Sequence, residues 1–299
     1  MTQAAGDLDT AEVLRSVRRV QLRTRKAVTD MVAGGFASVF RGSGMEFEEV
    51  REYVPGDDVR AIDWNVTART GRPYIKKFVE EREQTVMIAH DLSASTRLGS
   101  GRRNVRQTAA ELAALLAFSA TNSGDRAGYL GFSDKVELEL PPRSGTRQAF
   151  RIIREALYRD TEDAGTSLAM ACDHLAHVLK RRSYLFLLSD FLDDGFERSL
   201  GVLSRRHDVV ALRLVDMLHG ELPAVGLVRW RDPETGRRFV VDTSSARVRD
   251  AVQKRAEERT ASLRDMLGSH RVDLVDIPVG GSVVDPLVAY LKMRERRRR

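Results

Sequence analysis

Two apolar runs in this chain end in aspartate: Asp91 closes VMIAHD and Asp190 closes LFLLSD. Ser93 and Ser95 follow Asp91 at alternate positions, and Thr166 lies in the loop Ala164-Gly165-Thr166 ahead of the second run. These side chains offer only hard oxygen atoms. Brought to one crevice, Asp91, Ser93, Ser95, Thr166 and Asp190 suit Mg2+, which takes an octahedron of oxygens, keeps several waters and rarely accepts an all-protein cage; Mn2+ or Ca2+ are substitutes. Thr146, in SGTRQ, is a rival for the threonine role. Thr166 is preferred because it lies one helix before Asp190.

Positioning them requires strands that end side by side. From residue 84 onward the pattern alternates: strand at 86–89, helix at 103–123, strands at 127–132 and 136–140, and helices at 147–158 and 167–180. Next come a strand at 184–188, a short helix at 196–204, a strand at 209–215, a long helix at 246–267, a strand at 272–277 and a helix from 286. Strands apolar on both faces and separated by helices predict an α/β domain, 84–291, with a doubly wound, mostly parallel, Rossmann-like sheet. The turn at 133–135 is too short for a crossover, so 136–140 is expected as an antiparallel edge strand. In such sheets ligands sit beyond the carboxyl ends of the strands, where strand order reverses. A hairpin inserted at 226–242, around DPETG, is either a partner-binding finger or an extension of the sheet edge or cover for the smaller subdomain.

Residues 1–83 read as a separate N-terminal α+β subdomain. A helix over 9–32 places Val13, Val17, Val20, Thr24, Ala27 and Met31 on one face and arginines on the other, and is expected to pack on its own domain. Short extended pieces follow, in which Arg51, Asp57, Asp58, Arg60, Asp63 and Arg69 read as an internal ion network. Trp64 and Trp230 read as packing anchors. The glycines at 34, 35, 42 and 44 make no phosphate loop, since no GK[ST] follows them.

The net charge of +6 invites a nucleic-acid partner, but its location argues otherwise. The last eight residues, the tail 292–299, contribute +5, leaving 43 basic and 42 acidic residues in the preceding 291. Nucleic acid is therefore expected only weakly, through that tail. No run reaches the roughly 18 apolar residues of a membrane span, and the N-terminus lacks a charged and apolar leader. A single cysteine, Cys172, makes no internal disulfide, and a cytoplasmic location is expected.

DLSAS resembles the DxSxS of the metal-ion-dependent adhesion site of von Willebrand factor A domains, with Thr166 and Asp190 in its second and third loops. The resemblance implies that Ser93 and Ser95 ligate the metal through hydroxyls, Thr166 directly or through water, and Asp91 and Asp190 largely through water. The stretch from RGSGMEFEEVREYVPGDDVRAIDW to KKFVEERE, with SDFLDD and DPETG, is similar to bacterial von Willebrand A-type proteins catalogued as a domain of unknown function and often encoded beside MoxR-type AAA+ ATPases. That resemblance implies an adaptor, not an enzyme, whose metal captures a client carboxylate and which works with such an ATPase in assembling or maturing protein complexes.

An alternative is a Mg2+-dependent phosphohydrolase of haloacid-dehalogenase-like type, with Asp91 as nucleophile and Asp193-Asp194 as its later acidic pair. Ser93 stands where that family needs its general acid/base aspartate. His90-Asp91 and His207-Asp208 resemble metal-hydrolase dipeptides but fall in or beside strands. Of Cys172, His174 and His177, only the two histidines share a helix face, which makes a poor zinc site.

Overall fold

The computed structural model describes residues 18, 20–22, 24, 26–29, 31, 46–79, 83–97, 104–159, 161, 165–216, 222–231 and 237–298. Two compact units emerge, residues 40–84 and residues 1–39 with 85–299. The helical positions between 18 and 31 therefore group with the larger unit, not with an N-terminal subdomain ending at 83. Of their expected stripe, Thr24, Ala27 and Met31 are buried, and the Ser119 hydroxyl donates to the Met31 sulfur at 3.9 Å. The positions of Val13 and Val17, and the glycines at 34, 35, 42 and 44, lie outside the described residues.

The smaller unit is an antiparallel pair, β1 (Glu46–Glu52) with β2 (Tyr74–Val79), joined through a 3-10 turn (Val59–Ala61) and α1 (Trp64–Thr70). Its carboxylates also shape the backbone. Asp63 Oδ1 accepts from Asn65 and Val66 N–H and caps α1, and Asp58 Oδ1 accepts from Arg60 N–H. Asp57 pairs with Arg51 at 2.7 Å and takes the Val54 N–H on its other oxygen. Trp64 is 70% exposed, which overturns its expected role as an anchor.

The larger unit is the expected α/β core. Its six-stranded sheet runs in the order β10 (Asp273–Pro278), β7 (Asp208–Val215), β6 (Tyr184–Ser189), β3 (Thr85–Asp91), β4 (Arg126–Phe132), β5 (Val136–Arg143). All neighbours are parallel except β5, the antiparallel edge strand. From β3 the chain first builds outward through β4 and β5, then crosses to β6 on the other side. Strand order thus reverses at β3 and β6, and the strands ending in Asp91 and Ser189 flank the switch point.

Helices cover both faces. On one face Met87, Ala89, Leu130 and Phe132 pack against Leu168, Ala171, Cys172 and Leu175 of α4 (Leu168–Val178), Leu200 and Leu203 of α5 (Glu197–Arg206), and Leu263 and Leu267 of α6 (Ala246–Ser269). On the other, α2 (Val105–Asn122) and α3 (Thr146–Tyr158) pack on β3 and β4 and on each other. Alanines buried along α2 let that helix approach closely, and Asn104 with Gln107 forms its capping box.

Two expectations change at the edges. The hairpin β8 (Leu227–Arg231) and β9 (Arg238–Asp242) is a two-stranded sheet of its own and does not extend the main sheet; its turn at 232–236 lies outside the described residues. The basic tail is the end of helix α7 (Val284–Arg298), whose Leu287, Tyr290 and Leu291 are buried. Arg294 pairs with Asp208 and donates to the Tyr290 hydroxyl at 2.6 Å, and that hydroxyl donates to Asp273 at 3.0 Å. These anchors sit at the foot of β7 and β10, away from the strand ends that carry Asp91 and Ser189. No helix among the described residues is long and apolar enough to cross a membrane.

With side-chain exposures of 15% and 17%, the Arg294–Asp208 pair is partly desolvated. Arg294→Ala leaves Asp208 without its counter-charge and is expected to cost about 2–3 kcal/mol in urea unfolding, whereas Arg296→Ala should shift the midpoint within error.

Candidate metal centre

β3 delivers Asp91 as its last residue, and the chain then turns on the carboxylate itself: Ser93 N–H donates to Asp91 Oδ1 at 2.9 Å. A 3-10 turn, Ala94–Arg97, follows and is held by the Thr96 hydroxyl donating to Ser93 O at 2.7 Å. The turn is fastened to its surroundings by Leu92 N–H on Phe132 O and by the Thr161 hydroxyl on Leu92 O. Gly131 makes room for it. A Cβ there would stand 2.7 Å from Leu92 Cδ1 and 3.3 Å from the Tyr129 ring.

The second loop, 165–167, enters α4. Ser167 N–H donates to Ser133 O at 2.9 Å and the Ser167 hydroxyl caps Met170 N–H. Thr166 Oγ1 stands 3.5 Å from Asp91 Oδ2. Thr146 opens α3 beyond β5. Because β5 runs antiparallel, with Arg143 opposite Ala127, Thr146 follows the opposite end of the sheet from Asp91. Between the two threonines, geometry favours Thr166.

The third loop follows β6. Ser189 donates to Asp91 Oδ2 at 2.8 Å and accepts from Phe191 N–H at 3.1 Å, so one hydroxyl joins two strand ends. Phe191 is buried in the left-handed region at φ 56, a conformation costing a non-glycine residue about 1–2 kcal/mol. Leu192 N–H returns to Asp190 Oδ1 at 3.0 Å. Asp193 Oδ2 accepts the first N–H of α4, from Leu168, at 2.7 Å, and Arg259 of α6 donates to Leu192 O and to Asp194.

Asp91 and Ser93 are buried, while Ser95, Thr166 and Asp190 are half-buried. The set is thus a sunken carboxylate with oxygen groups climbing toward solvent. Ser93 Oγ and Ser95 Oγ are 3.0 Å apart. Burial, and next the charge of Asp190, push the Asp91 carboxyl up to about 7, against the hydrogen bonds from Ser93 and Ser189 that favour its ionised form. Among the described residues no group of three or more His, Cys, Asp or Glu is placed to hold a metal. A cation here depends on hydroxyls and water, which fits Mg2+, Mn2+ or Ca2+ and not zinc.

Ser189 is the residue at this centre that sequence reasoning passed over, while Asp193, read there only as part of an acidic pair, caps α4. LFLLSD contains the serine, but nothing in its pattern says that it faces Asp91. The remaining candidates separate. His90 is buried with Nδ1 on the Tyr129 hydroxyl at 2.9 Å, and burial holds its ring at about 3, neutral. As the strand neighbour of Asp91 it points to the opposite face. His207 is likewise pushed down by burial, and Asp208 is taken by Arg294. Cys172 sits in the core with its thiol pushed up to about 12 by burial, and His174 bonds Glu139 at 2.9 Å, so these two do not converge on a zinc.

The fold and the centre together define an α/β protein that gathers carboxylate and hydroxyl oxygens at the switch point of a mostly parallel sheet. Within that class the chain belongs to DUF58, a family of proteins of unknown function, whose profile matches residues 49–262. It is 29% identical over 296 residues to uncharacterized proteins of Mycobacterium tuberculosis and Mycobacterium bovis, covering 97% of this chain and 92% of theirs. Among solved structures it is similar to an aerotolerance-related membrane protein from Bacteroides fragilis carrying multiple mutations to serine. That match has 16% identity and a TM-score of 0.49, and covers 72% of this chain and 99% of that one. It is also similar to the conserved hypothetical protein BatB from Bacteroides thetaiotaomicron, at 14% identity and a TM-score of 0.48, covering 71% and 99%.

Asp91 supports a pH prediction. An unfolded aspartate titrates near 3.8, so between there and about 7 the metal-free folded protein holds a proton that the unfolded chain has released. Its contribution to stability is complete below the lower value and lost as pH rises through the upper. In EDTA the thermal midpoint should fall between about pH 4 and pH 7 and the Asp91 contribution level off above that, and Asp91→Asn, which has no proton to lose, should show the smaller fall. A separate variant, Ser189→Ala, leaves Asp91 Oδ2 and Phe191 N–H short of a partner and is expected to cost about 1–3 kcal/mol in chemical unfolding.

Proposed function

We propose that this chain is a divalent-metal-dependent protein-binding adaptor of von Willebrand factor A type, working with a MoxR-type AAA+ ATPase in the assembly or maturation of protein complexes. The observation that carries the metal reading is the Ser93–Ser95 pair. Two oxygens on adjacent vertices of an octahedron of about 2.1 Å radius stand about 3.0 Å apart, and these hydroxyls, hydrogen-bonded to each other at 3.0 Å, keep a separation compatible with that edge. Thr166 and the two carboxylates stand around the same crevice.

Ser93 and Ser95 would hold the ion directly, Thr166 directly or through a water, and Asp91 and Asp190 through waters. When bound, the ion supplies an electrostatic anchor for a partner's carboxylate. Neutral hydroxyls leave most of the ionic charge available, and the half-buried Ser95, Thr166 and Asp190 leave it an approach. The phosphohydrolase alternative draws less support. Asp91 is fully buried, its two oxygens take bonds from Ser93 and Ser189, and Asp193 caps a helix, all of which suit a structural carboxylate better than a nucleophile. The proposed setting is cytoplasmic, and the reading calls on no nucleic acid.

Calorimetric titration with MgCl2 and MnCl2 is expected to show binding by the native protein and none by the double variant Asp91→Ala/Ser93→Ala, whose far-UV circular dichroism stays native. Equal heats from the two proteins would overturn the site. The partner is tested by pull-down from the native cell with and without EDTA. Recovery of an AAA+ ATPase that EDTA abolishes supports the adaptor, and recovery indifferent to EDTA removes the metal from the interaction.

A further inference from the structure

We propose that the β8–β9 hairpin is a second docking surface, independent of the metal, for a partner protein that presents carboxylates together with an apolar side chain. In this register Arg229 faces Val240 and Leu227 faces Asp242, so strand alternation places Leu227, Arg229, Arg238 and Val240 on one face. That face is open. Leu227 is 76% and Val240 64% exposed, both arginines are exposed, and Val225 on the approach is 65% exposed.

A two-stranded sheet has little stability alone and ordinarily needs a further strand or a helix on its apolar side. Here the main sheet does not supply it, because among the described residues β8 and β9 pair only with each other. The base is nevertheless built to hold shape. The Thr243 hydroxyl donates to Gly226 O at 2.7 Å and accepts from Val225 N–H at 3.1 Å, and Arg249 at the start of α6 donates to Thr243 O and Ser244 O. Exposed apolar groups on a preformed platform are the arrangement that binding uses and that folding does not require.

Charge identifies the occupant. Among the described residues neither Arg229 nor Arg238 makes an ion pair, and Asp242, the carboxylate at the end of this face, is occupied by the Ser244 N–H and hydroxyl. Arg229 and Arg238 set two positive charges on this face against the one negative charge of Asp242, which its Ser244 hydrogen bonds keep ionised, so the balance is positive and favours an acidic partner. A second copy docked on this face would bring a second pair of arginines into the interface with only one aspartate from each copy to offset them, so an acidic partner is the better charge match. A nucleic-acid backbone would satisfy the guanidinium groups but give Leu227 and Val240 nothing to pack on. An acidic protein surface with an aliphatic side chain satisfies both.

The test is fluorescence anisotropy in EDTA, which removes any contribution from the metal centre, with a labelled peptide alternating glutamate and valine. A peptide with glutamine for glutamate and an oligothymidylate serve as comparison probes. The native protein should bind the glutamate peptide at least about tenfold more tightly than the glutamine peptide. Arg229→Glu/Arg238→Glu and, separately, Leu227→Ser/Val240→Ser should each weaken that binding about tenfold with unchanged thermal midpoints. Absence of binding, binding indifferent to both double variants, or equally tight oligothymidylate binding would overturn the proposal; a failure here leaves the calorimetric test of the metal centre untouched.

Discussion

Placing the Asp91 carboxylate beneath the surface is the constraint on which the rest of this architecture turns. A charge removed from water is costly unless hydrogen-bond donors replace the solvent. The replacement here comes from its own turn through Ser93 N–H and from the adjacent strand through the Ser189 hydroxyl, with Thr166 close by. Each donor belongs to a different segment of the chain. The interactions that make the carboxylate tolerable are therefore the ones that bring the three loops together, and the switch point is the place in the sheet where two strand ends can do so without a helix between them.

The loop after β6 shows how firmly the crevice is held. Its first residue accepts the Leu192 N–H, Phe191 adopts a left-handed backbone closed by Ser189, Asp193 caps α4, and Arg259 reaches across from α6. Four elements, β3, β6, α4 and α6, thus share one short segment. A site fixed this way loses little conformational freedom when something binds, which leaves more of the contact energy available as affinity.

Much of this was legible in the chain because fully buried parallel strands have no polar face to disguise them. β3 and β6 read directly as apolar runs, and each puts its chemistry at its end. Thr166 was placed by order alone, one helix ahead of Asp190. Ser189 was not, because its partner lies 98 positions away and a serine closing an apolar run has no local signature. The C-terminal arginines misled for a similar reason. Six cationic residues in eight look like a solvated end, yet Arg294 continues a helix toward Asp208, 86 positions earlier. Trp64 misled in the other direction: an aromatic among charges implies an anchor, but the small unit turns it outward. Local pattern reports whether a segment can be buried, and the pairing across the chain decides whether it is.

The hairpin occupies a different kind of position. It lies on the connection between β7 and α6, whereas the oxygens around Asp91 come from the loops that follow β3 and β6 and the one that opens α4. A change of sequence or length in β8 and β9 need not pass through the crevice, and a change at the crevice need not pass through the hairpin. The two features are in this sense separately heritable: one scaffold could exchange its hairpin over generations while keeping the same cluster of carboxylate and hydroxyl oxygens.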